Sequence, residues 1–295
     1  MKNQPRILVV YKKDAYQQYL KERRDPHLLR LLRRGHHDVL DMRRAHTIHV
    51  DALETVIHAL RRLPVDFDVA YRADLNVTKR YDLLVSVGGD GTFLQAARSV
   101  YRTPILGVNS DPARSEAVFC AATSRNFGRL CRQALEGRLP ELRLHRLQLT
   151  VNGKRLPQRA LNDVLVVHDD PATMSRYRLR IGRQEELQKS SGLWVATAAG
   201  SSSAVLAAGG RRLPWGARTF QYRPRELYRG RLSRYRLTGR LLRPRDAVRV
   251  AWLMRRGVIF VDGPHIRIPL RFADQLEIRL SLADPVRVLG LKKGG

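Results

Sequence analysis

The sequence predicts two domains: an α/β N-terminal domain with a Rossmann-like parallel sheet, and a mostly-β C-terminal domain. Up to about Val108, short apolar runs alternate with longer amphipathic stretches, which is the pattern of β/α units on a parallel sheet. Beyond Leu142, the apolar runs are short and separated by turn residues, which indicates strands. We expect the first domain over residues 1–140, the second over 141–283, and a C-terminal tail, 284–295, that returns to the first domain.

The N-terminal part contains four predicted strands, and the amphipathic stretches between and after them are predicted helices. In chain order the strands are Ile7–Tyr11, Phe67–Tyr71, Leu83–Val87 and Pro104–Val108, and the helical stretches are Leu28–Arg34, Val50–Leu63, Phe93–Arg98 and Ser124–Glu136. A parallel sheet of this kind binds ligands at the carboxyl ends of its strands. The residues that follow each strand are therefore the first candidates for a site.

The C-terminal part contains eight predicted strands and one short helix, Ala204–Ala208, closed by two glycines. The strands are Leu147–Val151, Asp163–Val167, Tyr177–Ile181, Leu193–Thr197, Ala247–Leu253, Val258–Val261, His265–Leu270 and Leu276–Leu280. Their short, regular spacing is typical of a β domain.

The composition is ordinary for a globular protein except for its charge. Of 295 residues 43% are hydrophobic, but 55 Lys and Arg against 27 Asp and Glu give a net charge of +28. Such a charge favours polyanionic partners, yet the basic residues are spread along the chain without an RNA-recognition, zinc-finger or helix-turn-helix pattern. We expect attraction of nucleotide triphosphates and only nonspecific binding of nucleic acid. A lineage bias toward Arg on solvated faces is the alternative.

The expected location is the cytoplasm. The residues Met1–Pro5 lead into the run Arg6–Tyr11, which is too short for the hydrophobic region of a signal peptide and resembles a first strand. We expect no membrane partner because no segment approaches the length of a transmembrane span. Helical sequence flanks the two cysteines, Cys120 and Cys131, which we expect to be reduced thiols.

A glycine-rich turn, Gly88-Gly89-Asp90-Gly91-Thr92, directly follows the strand that ends at Val87 and precedes a predicted helix. Glycines let the backbone approach a ligand closely, and a helix N-terminus adds partial positive charge, so this turn is suited to phosphate. A carboxylate here repels phosphate unless it binds a metal, accepts hydrogen bonds from a sugar, or takes a proton from an attacking hydroxyl. The alternative is a structural turn in which Asp90 only caps the helix.

Two further segments carry polar groups suited to a ligand. Asn162 and Asp163 stand at the start of a predicted strand, where both can face a crevice; an Asx turn is the alternative. The stretch Ser190–Ala204 passes from a strand into small and hydroxylic residues. Small side chains allow a flat ligand to lie against the backbone, and hydroxyls can bond its polar edge.

Three other side chains have both a functional and a structural interpretation. His46 and His49 are three positions apart, close enough to share a helix face and a metal ion, but the sequence shows no third ligand. His49 stands just before the predicted helix and could instead cap it or reach the crevice. Arg72 follows a strand end, where it could contact phosphate or form a solvated ion pair.

These segments, in this order, resemble those of the NAD kinase family, whose members carry a GGDGT phosphate loop, an Asn-acid pair and a glycine- and hydroxyl-rich stretch in a β domain. The likeness is greatest to the NADH kinase branch known from plants and covers nearly the whole chain from about His49. The shared motifs are Gly107–Pro112, Ala160–Asp163, Ser175–Tyr177, Ser191–Leu193, Thr197–Ser201, Phe220–Tyr222 with Arg225-Glu226, and Val261–Gly263. The resemblance implies the fold of NAD kinases and diacylglycerol kinases, and transfer of the ATP γ-phosphoryl group to the 2′-hydroxyl of the adenosine ribose of NAD or NADH.

By position, the resemblance also implies a role for each site residue. Asp90 would be the base that orients and deprotonates the 2′-hydroxyl, and Arg72 and Arg225 are candidate phosphate contacts. The implied contacts to ATP phosphates are Gly88, Gly89, Gly91 and Thr92, and the implied contacts to NAD or NADH are Asn162, Asp163, Ser191, Thr197, Ala199, Gly200, Ser201 and Ser202. Magnesium would accompany ATP without a metal site of the protein's own. The family also implies a homo-oligomer, with a dimer favoured.

Two departures from the family bear on the substrate. Many NAD kinases have Asp at the position of Ser191 and Thr-Ala-Tyr at the position of Ser202–Ala204, so a carboxylate and an aromatic platform are missing here. We expect the lost negative charge to relax discrimination against NADH; altered affinity with unchanged preference is the alternative. Two other functions stay open: a lipid-type kinase, against which the polar pocket speaks, and a nonenzymatic dinucleotide or nucleic-acid binding protein on the same scaffold.

Overall fold

The computed structural model describes residues 4–75, 77, 79–100, 102–231 and 234–291. The chain divides into two compact units: the first comprises the chain up to Leu142 and the segment from Arg287, and the second runs from Arg143 to Val286. The predicted C-terminal tail is described as far as Leu291, and residues 292–295 lie outside the described residues. In the described part of the chain, no helix is both long and apolar enough to cross a membrane.

The first unit alternates strands and helices along a parallel sheet. Its strands are β1 (Arg6–Tyr11), β2 (Asp66–Tyr71), β3 (Leu83–Gly88), β4 (Ile105–Asn109) and β5 (Ala122–Thr123), and its helices are α1 (Pro26–Arg33), α2 (His37–Arg61), α3 (Asp90–Arg98) and α4 (Phe127–Leu135), with a π-helix at Tyr16–Glu22 and a 3₁₀ turn at Arg72–Asp74. The sheet order is β2-β1-β3-β4, and Val288 pairs alongside Ile105 of β4.

The strands of this sheet are buried because they are continuous apolar runs. All residues of β3 and β4 are buried, as expected for strands with both faces covered. Buried side chains of α2 and α4 pack against the sheet in one core. Because the strands are parallel, their carboxyl ends meet at one edge, which is formed by Tyr11, Tyr71, Gly88 and Asn109.

The second unit consists mostly of antiparallel strands. From β6 onward the elements are β6 (Glu141–Val151), β7 (Lys154–Ala160), β8 (Asp163–Val167), β9 (Ser175–Ile181), β10 (Gln184–Ser190), β11 (Gly192–Thr197), α5 (Ala204–Ala207), β12 (Phe220–Arg225), β13 (Arg240–Leu242), β14 (Val248–Trp252), β15 (Gly257–Val261), β16 (Ile266–Leu270) and β17 (Gln275–Leu289). One sheet has the order β13-β12-β11-β8-β15-β16; the other joins β10, β9, β14 and β17, with β6 pairing both β17 and β7. Buried side chains from both sheets, among them Tyr177, Val195 and Trp252, form one core.

Several elements differ from their predicted extent. Helix α2 begins at His37 rather than Val50, so His46 and His49 lie inside it, and the expectation that His49 precedes and caps a helix is wrong. The π-helix and the strands β7, β10, β12 and β13 had no counterpart in the prediction. β10 has the sequence QEELQKS, whose charged and amide side chains give no apolar run to read.

Candidate active site

The glycine-rich turn connects the buried strand β3 to α3 in the first unit. Gly88 ends the strand and Asp90 begins the helix, so Gly89 alone separates the two elements. The packing is tight, because a Cβ on Gly88 would collide with the side chain of Thr92. The Thr92 N–H donates to the Gly89 carbonyl oxygen at 3.0 Å, whereas the N–H groups of Asp90 and Gly91 bond to no acceptor among the described residues. The turn therefore offers free donors and the positive end of a helix at the carboxyl edge of the sheet, which suits a phosphate.

Asp90 is held by the loop that follows β4. Its Oδ1 accepts a hydrogen bond from the Phe119 N–H at 3.0 Å, and the Phe119 ring stacks on Phe93 with centroids 5.1 Å apart. Gly89 occupies the N-cap position of α3 and no side chain caps the helix there, so the interpretation of Asp90 as a cap is wrong.

The electrostatic environment makes the Asp90 carboxyl more basic than an exposed one. Burial raises its pKa most, the backbone N–H groups of Phe119 and Val118 lower it, and the charge of Glu116 raises it. The net effect is a raised pKa. A positioned carboxylate with increased proton affinity has the property required of a general base.

Arg72 lies beside the glycine-rich turn. It follows β2, its Nη1 donates to Thr92 Oγ1 at 3.4 Å, and its carbonyl oxygen accepts from Gln95 Nε2 at 2.9 Å. The guanidinium is half-buried, and this burial lowers its pKa. No described carboxylate forms an ion pair with it, so the arrangement differs from a solvated ion pair and leaves Arg72 able to bind an anion.

The two histidines of α2 bond to different groups. His46 Nδ1 lies 2.8 Å from Asp14 Oδ2, while His49 Nε2 donates to the Lys12 carbonyl oxygen at 2.9 Å. Both rings are buried, and burial lowers the pKa of His49. They fix the segment after β1, which is a structural role distinct from the shared metal site considered from the sequence.

In the second unit, the turn into β8 carries Asn162 and Asp163. Asp262, in the turn after β15, accepts hydrogen bonds from the N–H groups of Leu161, Asn162 and Asp163 at 3.0, 2.7 and 3.2 Å. Its own N–H donates to the Asp163 carbonyl oxygen at 3.0 Å. Asp262 had no predicted role, although its Asp-Gly pair directly after a strand is a turn signal. Asp262 positions the pair from a distant part of the chain.

The side chains of Asn162 and Asp163 differ in their hydrogen bonds to the rest of the protein. Asp163 is 8% exposed and accepts from Ser203 Oγ at 2.8 Å. Burial raises its pKa most, the Ser203 bond lowers it, and the charge of Asp262 raises it, to a net value of about 6. The Asn162 amide is half-buried and makes no side-chain hydrogen bond with the described residues. A carboxylate ionised at neutral pH and a free amide can together bind the hydroxyls and ring edge of a nucleoside.

Thr197, at the end of β11, supports this turn from below. Its hydroxyl donates to the Leu161 carbonyl oxygen at 2.6 Å and accepts from the Gly200 N–H at 3.1 Å. Gly200 packs so closely on the turn that a Cβ would collide with the carbonyl group of Asn162. The Thr197 hydroxyl is thus committed to the protein's own backbone.

The residues after Gly200 also divide into buried and available groups. Ser201 Oγ donates to the Ala198 carbonyl oxygen at 2.7 Å and accepts from the Leu213 N–H at 2.8 Å. Ala199 is buried. Ser202 is half-buried, and its hydroxyl bonds to no described residue, so it is free to meet a ligand.

Ser191 and Arg225 lie together at the opposite end of β11 from Thr197. The Ser191 N–H donates to the Arg225 carbonyl oxygen at 3.0 Å, and the Arg225 guanidinium carbon lies 5.9 Å from the centroid of the Trp194 ring. Trp194, Arg225 and α5 line a groove of about 500 Å³. Since β11 has six residues, roughly 20 Å separate its two ends. The candidate dinucleotide contacts of the second unit therefore form two groups.

Comparison with known proteins identifies the family. A model of the ATP-NAD kinase N-terminal domain matches residues 32–138. A probable NADH kinase from Oryza sativa subsp. japonica is 35% identical over 254 residues, which cover 78% of each protein. An NADH kinase from Arabidopsis thaliana is 32% identical over 256 residues, which cover 78% of this chain and 80% of the relative. The chain belongs to the NAD kinase family, in its plant-type NADH kinase branch, which confirms the resemblance seen in the motifs.

A solved structure shows the same fold. The crystal structure of an NAD kinase from Archaeoglobus fulgidus in complex with ATP matches with a TM-score of 0.67, covering 96% of this chain and 92% of its own, at 21% identity. The predicted fold class, an α/β domain with a parallel sheet followed by a mostly-β domain of NAD kinase type, is confirmed.

Proposed function

We propose that the protein is an ATP-dependent NAD(H) kinase, which phosphorylates the 2′-hydroxyl of the adenosine ribose of NAD, NADH or both to give NADP(H). The observation that carries the proposal is the Asp90 carboxyl, held by the Phe119 N–H at the phosphate-binding turn, with a pKa raised by burial. Membership of the NAD kinase family supports the choice of acceptor.

In the first unit, the turn Gly88–Thr92 binds the donor phosphates, whose charge is offset by free N–H groups and the end of α3. The 2′-hydroxyl oxygen attacks the γ-phosphorus, Asp90 takes its proton, and the bond to the β-phosphate oxygen breaks so that ADP leaves with the electron pair. Arg72 offsets charge on the transferred group. Magnesium enters as part of the MgATP substrate.

In the second unit, Asn162 and Asp163 bind the adenine edge and ribose hydroxyls, and Ser202 adds a hydroxyl. Thr197, Ala199, Gly200 and Ser201 form the surface on which the dinucleotide lies, mainly through backbone. Arg225 contacts phosphate and Ser191 lies near the nicotinamide end. Positioning and charge neutralisation supply most of the rate, because phosphoryl transfer asks little covalent work of the protein.

The test is formation of NADP or NADPH from MgATP with NAD or NADH, measured on the wild type, Asp90→Asn and Asp41→Asn. Asp41 is an exposed residue of α2 and serves as a charge-matched control. We expect Asp90→Asn to lower kcat by about 10²- to 10⁴-fold with dinucleotide affinity retained, and Asp41→Asn to behave as wild type.

The outcomes of the same assay separate the alternatives. A wild type that binds dinucleotide but forms no product is a nonenzymatic binding protein. Transfer to diacylglycerol or a sphingoid base, with none to NAD or NADH, indicates a lipid-type kinase. Unchanged turnover in Asp90→Asn contradicts the assigned base.

We further propose a cytoplasmic homodimer with no membrane partner. The support is family resemblance together with two free cysteines, Cys120 and Cys131, both with a pKa raised to about 12 by burial and thus poorly reactive. Light scattering on protein eluted from a size-exclusion column measures its molar mass. The mass of a monomer contradicts the proposed dimer.

A further inference from the structure

Lys12 stands at the carboxyl edge of the parallel sheet, directly after β1. This strand lies between β2 and β3, with Tyr11 opposite Tyr71 and Val87 in the register. Continuing this register by one position brings Lys12 beside Arg72 and Gly88, and the charge of Arg72 acts on Lys12. Neighbouring strands are about 4.8 Å apart, so Lys12 stands between the arginine and the glycine-rich turn.

The carboxylates nearest to Lys12 are engaged elsewhere. Asp14 Oδ2 lies 2.8 Å from His46 Nδ1, and Asp111 lies 3.8 Å from Arg114. Among the described residues, no carboxylate forms an ion pair with the Lys12 ammonium. The group is nonetheless partly buried, and its backbone is fixed because its carbonyl oxygen accepts the hydrogen bond from His49.

Burial, rather than the surrounding charges, dominates the electrostatics of the Lys12 ammonium. Burial lowers the pKa of its ammonium most; Asp14 raises it, Arg72 lowers it, Asp111 raises it, and the net direction is down. Burial likewise lowers the pKa of the Arg72 guanidinium. Two neighbouring cations that are both partly removed from water and lack a paired carboxylate are unfavourable until an anion joins them.

The next residue, Lys13, differs from Lys12 because its ammonium is paired with a carboxylate. Its ammonium forms an ion pair with Glu22 at 2.8 Å and lies 4.8 Å from the centroid of the Tyr71 ring. The ion pair raises the pKa of Lys13. The chain therefore provides a matched control one position away from Lys12, with the same charge and a satisfied partner.

We propose that Lys12 and Arg72 together bind the terminal phosphates of the donor's triphosphate chain, beside the glycine-rich turn. The identity of the donor rests on the proposed kinase function. The pyrophosphate of NAD has the same anhydride bond, but each of its two phosphates is also esterified to a ribose and carries a single negative charge. A triphosphate carries a terminal group with additional charged oxygens, which two cations and a helix N-terminus can share.

The test uses inorganic tripolyphosphate, without nucleotide or magnesium, in calorimetric titrations at fixed salt. We expect Lys12→Met and Arg72→Met each to raise the Kd by about 10- to 100-fold, the loss of one charge-assisted contact. Lys13→Met removes the same charge from the same segment and should change the Kd far less. Equal effects of Lys12→Met and Lys13→Met, or no binding of tripolyphosphate by the wild type, overturn the proposal.

A second set of measurements distinguishes loss of phosphate binding from misfolding, and the phosphates of the donor from those of NAD. Lys12→Arg keeps the charge and should retain most of the tripolyphosphate affinity, and melting curves report the fold of each variant. In a working kinase, Lys12→Met should raise KM for MgATP and leave that for NAD unchanged; a change confined to NAD overturns the assignment to the donor. A wild type that binds tripolyphosphate through Lys12 yet forms no NADP(H) retains the anion site and refutes only the kinase function.

Discussion

The ionised carboxylate of Asp163, a proposed dinucleotide contact, reduces the stability of the fold. Its pKa is raised from 3.8 to about 6, so the unfolded chain loses this proton at lower pH than the folded protein does. Below about pH 4 the Asp163 carboxyl therefore does not reduce the free energy of unfolding. As the pH rises from there through the pKa of the folded state, the free energy of unfolding falls. Above about pH 6 the full cost is present, on the order of 3 kcal/mol from the size of the shift.

Replacing Asp163 by Asn should accordingly stabilise the protein and weaken its binding of dinucleotide. Ser203 Oγ also lies 2.6 Å from the Gly200 carbonyl oxygen, so it can donate there and accept from the new amide. We expect the variant to unfold at higher temperature at pH 7.5, with a gain of about 1–3 kcal/mol that disappears near pH 4, and dinucleotide binding to weaken. Thermal unfolding across this pH range is the measurement, with the exposed Asp66→Asn as control. A gain of equal size at pH 4 and 7.5 contradicts the argument.

Ser191 is the residue at which the choice between NAD and NADH can be tested. It is half-buried, with its hydroxyl 3.9 Å from the sulfur of Met174. An added carboxylate there would favour the positively charged nicotinamide ring of NAD over the neutral ring of NADH. We expect Ser191→Asp to raise the ratio of kcat/KM for NAD to that for NADH by several-fold. Ser191→Asn, whose side chain has the shape of Asp without its charge, should leave the ratio unchanged. Equal ratios in all three proteins remove the charge explanation.

The segment that follows β11 and the turn into β8 approach each other at backbone contact in the candidate site of the second unit. Gly200 is the point of approach, and its nearest neighbours are backbone atoms of Asn162, which cannot rotate away as a side chain can. Any side chain at this position must therefore displace the turn that carries Asn162 and Asp163.

A Gly200→Ala substitution should thus affect stability and binding together. We expect a loss of about 1–3 kcal/mol, as for overpacking, and a raised KM for the dinucleotide with KM for MgATP unchanged. Gly128→Ala in α4 is the control, because a Cβ there would lie 3.6 Å from the Ala59 Cβ in ordinary contact, and helical Ala is favoured over Gly by about 0.5–1 kcal/mol. Urea unfolding and steady-state kinetics measure both effects; normal dinucleotide KM in Gly200→Ala would show that the turn does not need this contact.

The elements that could be predicted from the sequence are those with short-range signals. The apolar runs of β1, β3 and β4, and the glycines at Gly88–Thr92, are readable within a few positions. β10 was missed because its polar side chains are acceptable only beside β9, with which all seven of its residues pair.

Two residues of the candidate site, Asp262 and Lys12, were missed for the same reason, over longer distances. Asp262 bonds to Asn162 across 100 positions, and the register of β1 and β2 is what brings Lys12 beside Arg72. Neither contact leaves a local pattern in the sequence. The chemistry of local motifs thus predicted the candidate binding groups, whereas Asp262 and Lys12 could be identified only from the sheet topology.

Over the whole molecule, the charge of +28 is the property that no single site explains. Exposed arginines distributed over many elements create a long-range positive potential. Such a potential binds any polyanion by counterion release, and the strength of binding then depends on salt rather than on sequence.

We therefore expect the protein to bind duplex DNA at about 50 mM KCl, where nonspecific binding is strong. Between about 50 and 200 mM KCl, the affinity should fall by about 10³-fold. Fluorescence anisotropy with two duplexes of unrelated sequence, and with polyglutamate as a polyanion without bases, measures this. The three probes should show similar salt dependence, because the interaction counts charges and ignores bases. Binding that persists at the higher salt for one duplex alone would show a specific nucleic-acid site and would revive the binding-protein alternative. Coincident curves for all three would assign the excess charge to general attraction of polyanions, of which the phosphoryl donor is one.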